Sequence, residues 1–261
     1  MQHRWLRFAA IVVGVVTAPV AAQSTPKTGT EVLQRMHDAY AGKWYKTLTF
    51  VQKTTIRRRD GTDTVITWHE SLRFTDARGT QLRIDTGDLS AGNGILYTAD
   101  SSWVVRAGKL FAARPGGNEF LPLIEGVYMQ PVARTLKDLD SAKIDMQRVS
   151  RATWQGRPAW IVGASSPNDT TATQFWVDVD RNVVVRMLLS PGGNGPMLDI
   201  HLDGYVPLEK GWLATKVVMT EGGQPRQKEE YSGWKANVPL RDDLFSVDTW
   251  TTAEHWAKGR N

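Results

Sequence analysis

"FWVDVDRNVVVRMLL", residues 175–189, can be read in two ways. Asp178, Asp180 and Asn182 stand at every second position, as the first ligands of an EF-hand calcium loop do. That loop also needs Gly at its sixth position, for a sharp turn, and a bidentate Glu at its twelfth. This chain has Val183 and Leu189 there. On the two sides of the polar tip, Phe175, Val177 and Val179, then Val183, Val185, Met187 and Leu189, repeat with the period of two that half-buried strands show. The stretch is therefore read as a β-hairpin with its carboxylates in the turn.

Outward from it the same alternation recurs at short intervals. It marks Leu48, Phe50 and Ile56, then, beyond an Asp60-Gly61 turn, Ile66, Trp68, Leu72 and Phe74, followed by Leu82 and Ile84. Brief strands are expected at 95–98, 103–106 and 109–113, and later at 144–149, 159–164, 198–202, 213–219 and 226–234, with turns between them. Two stretches depart from this pattern. Thr28 and Glu31 have capping-box spacing ahead of one apolar helical face, Val32, Met36, Ala39 and Tyr40, which ends at Gly42. Between the two groups of strands, Leu121, Ile124, Val127 and Tyr128 have helical spacing with Pro122 in a first turn, and Val132, Leu136 and Leu139 continue beyond Pro131.

Many short strands without strand-helix alternation predict a mainly β fold, one antiparallel sheet curved into a barrel or half-barrel, with the helices covering its buried face. Such a sheet turns more apolar side chains inward than two modest helices can pack, which predicts a hydrophobic cavity under a helical lid. The candidate walls are Phe50, Ile66, Trp68, Leu72, Phe74, Leu82, Ile84, Leu96, Trp103, Trp160, Phe175 and Val177, a set that fits either a packed core or a cavity wall. The candidate lid residues are Leu121, Ile124, Val127 and Tyr128.

The start of the chain has the plan of an export signal over residues 1–22: basic Arg4 and Arg7, an apolar stretch from Phe8 to Val16, and small Val20 and Ala22 before Gln23. A linker at 23–27 and a single domain at 28–261 follow in this reading. The absence of Cys excludes disulfides, thiol catalysis and a lipid-bearing cysteine. A periplasmic protein that is not itself lipidated is expected. Acidic and basic residues are interspersed, and Arg57-Arg58-Arg59 precedes a turn, which argues against nucleic acid as a partner.

Candidate chemistry is sparse. None of the five histidines lies three or four residues from another, so metal ligation is not expected. "GASSP", residues 163–167, has Pro167 where a nucleophile elbow needs Gly, and "AGNG" and "GGNG" lack a following helix to aim at phosphate. The pairs Asp178/Asp180, Asp242/Asp243 and Glu229/Glu230 read as solvated turns or strand surfaces, and His69 and His201 as solvent-facing. No enzyme, catalytic residue, cofactor or metal is expected.

An opening helix, "TFVQKT", a strand pair, "ILYTADSSWVVRAGKL", a helical insertion, "TQFWVDVDRNVVVRMLL" and "DDLFSV" follow one another in this chain. In that order, across most of Val32 to Val247, they resemble the LolA-like outer-membrane lipoprotein-sorting family. The resemblance implies an incomplete barrel of about eleven strands, with a helical lid over a cavity that receives the acyl chains of lipoproteins or related lipids. It implies an inner-membrane ABC transporter and an outer-membrane acceptor as further partners, with only transient membrane contact. It also implies an arginine that ties the lid shut, for which Arg78 is the nearest match and Arg83 the second; Gly79 stands where the family usually has Pro. Two rivals stand beside the carrier. One is a LolA-like envelope sensor that binds lipid or lipoprotein and a signalling partner. The other is an exported hydrolase using Ser165 or Ser166 with His201.

Overall fold

The computed structural model describes residues 24–190 and 195–258. The export signal read over 1–22 and most of the turn expected at 191–196 lie outside these residues. Helix α1 (Gly29–Tyr40) starts where the capping pattern places it, with the Thr28 hydroxyl accepting from the Glu31 N–H at 3.2 Å. Its buried face is Val32, Leu33, Met36 and Tyr40.

Two meanders follow. The first runs through β1 (Thr47–Arg57), β2 (Asp63–Thr75), β3 (Gly79–Thr86), β4 (Gly94–Tyr97), β5 (Ser101–Arg106) and β6 (Lys109–Pro115). The second comprises β7 (Val149–Trp154), β8 (Arg157–Val162), β9 (Gln174–Asp178), β10 (Val184–Leu189) and β11 (Leu198–Asp203), then β14 (Lys216–Glu221) and β15 (Gln224–Ala236). A small hairpin, β12 (Val206–Leu208) with β13 (Gly211–Leu213), interrupts it. The last strand returns to the first: β15 pairs with β1, Tyr231 opposite Gln52 and Glu229 opposite Thr54. The result is one antiparallel sheet of 13 strands, against the eleven implied by the resemblance, curved but not closed.

The free edges of this sheet are β6 and β7, which residues 116–148 join in sequence. The connection must travel from one edge to the other, and it carries the lid: a π-helical turn (Pro122–Gly126), α2 (Val127–Met129) and α3 (Val132–Asp138).

The opening motif is a hairpin. Asp178 Oδ1 accepts from the N–H groups of Asp180 at 3.0 Å and Arg181 at 2.9 Å, and Arg157 clamps the same carboxylate. Asn182 takes the left-handed conformation, φ 53°, that closes the turn. Two expected strands are displaced. In place of a strand at 144–149, Asp145 Oδ1 caps the Gln147 N–H at 3.0 Å in a turn, and β7 begins only at Val149. The 213–219 strand is broken, Leu213 ending the small hairpin and Lys216 starting β14.

The two faces of the sheet have different covers. On the inner face α1 lies across the second meander: Gly29 sits so close to Val162 that a Cβ there would meet its Cγ1 at 2.5 Å, and Tyr40 donates to the Arg181 carbonyl near the β9–β10 turn. On the outer face of the first meander, the C-terminal segment packs Leu244, Phe245, Trp250 and Ala253 onto Leu96, Val105 and Trp103.

Candidate ligand-binding cavity

Alternation along the strands sends every second side chain of the first meander inward, and there α1 does not reach. Leu48, Phe50 and Gln52 on β1, Trp68, Glu70 and Leu72 on β2, Leu82 and Ile84 on β3, and Ile95 and Tyr97 on β4 form one wall. Val217 and Met219 of β14 and Gln227, Glu229 and Tyr231 of β15 form the other, and Phe120, Leu121, Ile124, Glu125 and Tyr128 roof it. They enclose a cavity of about 340 Å³. That is at the lower end of the roughly 300–1,000 Å³ typical of ligand sites.

The roof is fastened at one end. Glu125 is buried, and its two oxygens accept from Trp44 Nε1 at 2.8 Å and from the Tyr45 hydroxyl at 3.0 Å. Burial raises its carboxyl to about 7 despite these bonds. The Trp44 ring stacks on Tyr128 at 3.9 Å, and Tyr40 stands edge-on to both rings. Gly211 of the small hairpin approaches Trp44 so closely that a Cβ would meet the indole at 2.7 Å. His37 Nδ1 lies 3.0 Å from the Val127 carbonyl.

The opposite end is also polar. Glu229 accepts from the Tyr231 hydroxyl and from Gln227 Nε2, and burial raises its carboxyl. Glu70, 4 % exposed, is raised well above the usual carboxylate range by burial and then by the neighbouring Glu229. Its Oε1 has no hydrogen-bond partner, nor have Trp68 Nε1 and Trp234 Nε1 in the same lining.

The sequence-derived wall divides accordingly. Phe50, Trp68, Leu72, Leu82 and Ile84 line the cavity, with Leu121, Ile124 and Tyr128 above them. Val127 is buried in the core, and α2 packs on α1. Ile66 and Phe74 lie on the strand that supplies Trp68, Glu70 and Leu72 but do not reach the cavity. Leu96 and Trp103 belong to the outer cluster under the C-terminal segment, because the next residues in their strands, not they, point inward. Trp160, Phe175 and Val177 are solid core, in the half of the sheet that α1 covers.

Among the described residues neither arginine side chain has a hydrogen bond or ion pair to the lid. Arg78 is exposed in the β2–β3 turn. Arg83 points outward, where it forks onto Asp85 at 2.7 and 2.8 Å and donates to the carbonyls of Leu244 at 2.9 Å and Trp250 at 2.8 Å. It holds the C-terminal segment, with His255 Nε2 3.1 Å from the same Asp85. His69 is not solvent-facing: it sits half-buried beside His255 and Trp256. His201 faces Trp154 on the sheet and lies 3.0 Å from Asp199, while the Ser166 hydroxyl accepts from Asn168 within its own turn. Among the described residues no group of three or more His, Asp or Glu is arranged to hold a metal.

Sequence reasoning passed over Glu70, Glu125 and Gln52, and took Glu229 for a surface residue. A signal existed for Glu70: it interrupts the apolar row Trp68, Leu72 at the inward position.

The outline of this molecule matches solved structures. A crystal structure of an outer membrane lipoprotein-sorting protein domain from Vibrio parahaemolyticus superposes with a TM-score of 0.58 at 12% identity, over 85% of this chain and 98% of that one. The fold is LolA-like. A DUF1329 family protein from Desulfovibrio piger gives 0.57 at 14% identity, over 84% and 95% of the two chains. A LolA superfamily protein from Nitrosomonas europaea gives 0.50 at 10% identity, over 84% and 97%. No family model matches the sequence, and no curated relative does. No helix among the described residues is long and apolar enough to cross a membrane.

Proposed function

We propose that this protein is an exported periplasmic carrier that shields the acyl chains of lipoproteins, or of related lipids, in the LolA-like cavity on the way to the outer membrane. The observation that carries this reading is the space itself, walled by Leu72, Leu82, Ile84 and Val217 and roofed by Leu121 and Ile124. An acyl chain in water costs about 0.8 kcal/mol per CH₂, and a cavity of this lining removes much of that cost without any catalytic group. The similarity to a lipoprotein-sorting domain supports the same direction. In this reading residues 1–22 are removed on export, 23–27 form a linker, and 28–261 act as one domain that meets a transporter on loading and an acceptor on release.

Mass spectrometry of the protein purified from the periplasm is expected to find bound lipid or lipopeptide and a mature start after residue 22. Delipidated protein is expected to take up a fluorescent fatty acid saturably. A protein that shows no saturable uptake is not an acyl carrier.

A further inference from the structure

The two polar ends of the cavity differ in one respect. Glu125 spends both oxygens on Trp44 and Tyr45, so it is part of the structure that holds the roof. Glu70 is equally buried, yet its Oε1 is without a partner, and the indole N–H groups of Trp68 and Trp234 in the same lining are also unspent. An unpaired carboxyl in a buried position costs stability, so its presence at the wall of a ligand-sized space points to a partner supplied by the ligand.

The sign of that partner follows from the lining. Among the described residues three carboxyl side chains, Glu70, Glu125 and Glu229, face the cavity, and no Lys, Arg or His does. A phosphate, sulfate or carboxylate head would find no basic side chain in this lining to pair with. An ammonium would meet a carboxyl with a free oxygen and, in pairing with it, would hold in the ionised form a group that burial otherwise keeps protonated. Glu229 already holds bonds from Tyr231 and Gln227, which leaves Glu70 as the group with capacity to spare.

We propose that this end of the cavity is a head-group site for a cationic amphiphile: Glu70 takes the ammonium of a primary-amine-headed lipid whose chain lies along Leu72, Leu82 and Ile84. The proposal rests on the acyl-chain reading and adds to it a choice of head group.

Competition against a bound fluorescent acyl probe, with dodecylamine, dodecanol and dodecanoate each below its micelle concentration, separates the two. Wild-type protein is expected to prefer the amine to the carboxylate by about tenfold or more, with the alcohol between them. Glu70→Gln, which keeps the volume, is expected to lose the amine preference and to bind the amine no more tightly than the alcohol, with a melting midpoint no lower than that of wild type. Dodecanoate binding as tightly as dodecylamine in the wild type overturns the head-group site while the acyl reading stands, and that comparison holds even if the variant does not fold. A preference that survives in folded Glu70→Gln also overturns it. Failure of all three compounds to compete overturns the acyl reading and the head-group site together.

Discussion

Trp44 lies face to face with Tyr128, 3.9 Å between ring centroids and 24° between planes, and through Nε1 it holds Glu125 three residues earlier in the lid. One side chain thus joins the segment after α1 to both the aromatic and the acidic residue of the roof. Truncation removes the stack and leaves a buried acid short of a donor. Trp44→Ala is expected to lower stability by about 3–5 kcal/mol, and Trp44→Phe, which keeps a ring, by about 1–3. Urea unfolding checks both, and a loss below about 1 kcal/mol for Trp44→Ala would show that the roof is held elsewhere.

Stability should fall as the solution becomes alkaline. Burial raises Glu125 from 4.5 to about 7, so the folded protein binds a proton that the unfolded chain has released across that interval. The stability attached to this group is complete below 4.5 and is lost as pH rises through 7, by about 3 kcal/mol. Glu70 and Glu229 are raised too and act with the same sign. On the acid side, burial pushes Asp199 up but hydrogen bonds from Arg186 and His201 pull it further down, to about 2; its contribution is present above 3.8 and disappears as pH falls through 2. The melting midpoint is expected to be higher near about pH 5 than near about pH 8, and Glu125→Gln to flatten that slope. A midpoint that rises toward pH 8 in the wild type would contradict a protonated Glu125.

The two arginines that the family resemblance nominates for the lid should behave differently, and neither as a lid lock. Arg83 is 2 % exposed and clamps Asp85 and two carbonyls of the C-terminal segment. Arg83→Ala leaves the Asp85 carboxylate buried with only His255 beside it, and is expected to cost about 3–5 kcal/mol and to expose residues 240–258 to protease. Arg78→Ala, in an exposed turn, is expected to stay within about 0.5 kcal/mol of wild type and to leave acyl uptake unchanged. Loss of uptake in Arg78→Ala would restore it to the lid.

Periodicity made the sheet legible because each strand carries its own evidence: Phe50, Trp68, Leu72, Leu82 and Ile84 each repeat with a local period of two, and all five reach the cavity. Which wall stays open depends on the cover, a long-range property. Phe175 and Val177 alternate as cleanly as Leu82 and Ile84, yet α1 packs one pair into core and leaves the other pair facing space. For Leu96 and Trp103 the difficulty was the face: both sides of β4 and β5 are apolar, since Ile95 and Tyr97 look inward and Leu96 meets Leu244 and Trp250 outside. Arg83 falls in "FTDARGTQLRID", the stretch that corresponds to the family's lid arginine, whereas the C-terminal segment it holds lies some 160 residues away. Buried acids such as Glu70 were hidden by the ordinary assumption that a lone charge on a strand is solvated.

The distinction between open and packed wall can be tested directly by adding volume. Ile95 and Val217 face the cavity from opposite sides, on β4 and β14, so a larger side chain at either position has space to enter. Ile95→Trp and Val217→Trp are expected to reduce uptake of a fluorescent fatty acid about tenfold while shifting the unfolding midpoint little. Phe175 is fully buried in the half that α1 covers, so Phe175→Trp must displace neighbours and is expected to lose about 1–3 kcal/mol with uptake by the remaining folded protein unchanged. If Phe175→Trp alone abolished uptake, or the two cavity variants bound as well as wild type, the acyl chain would not lie between the first meander and the lid.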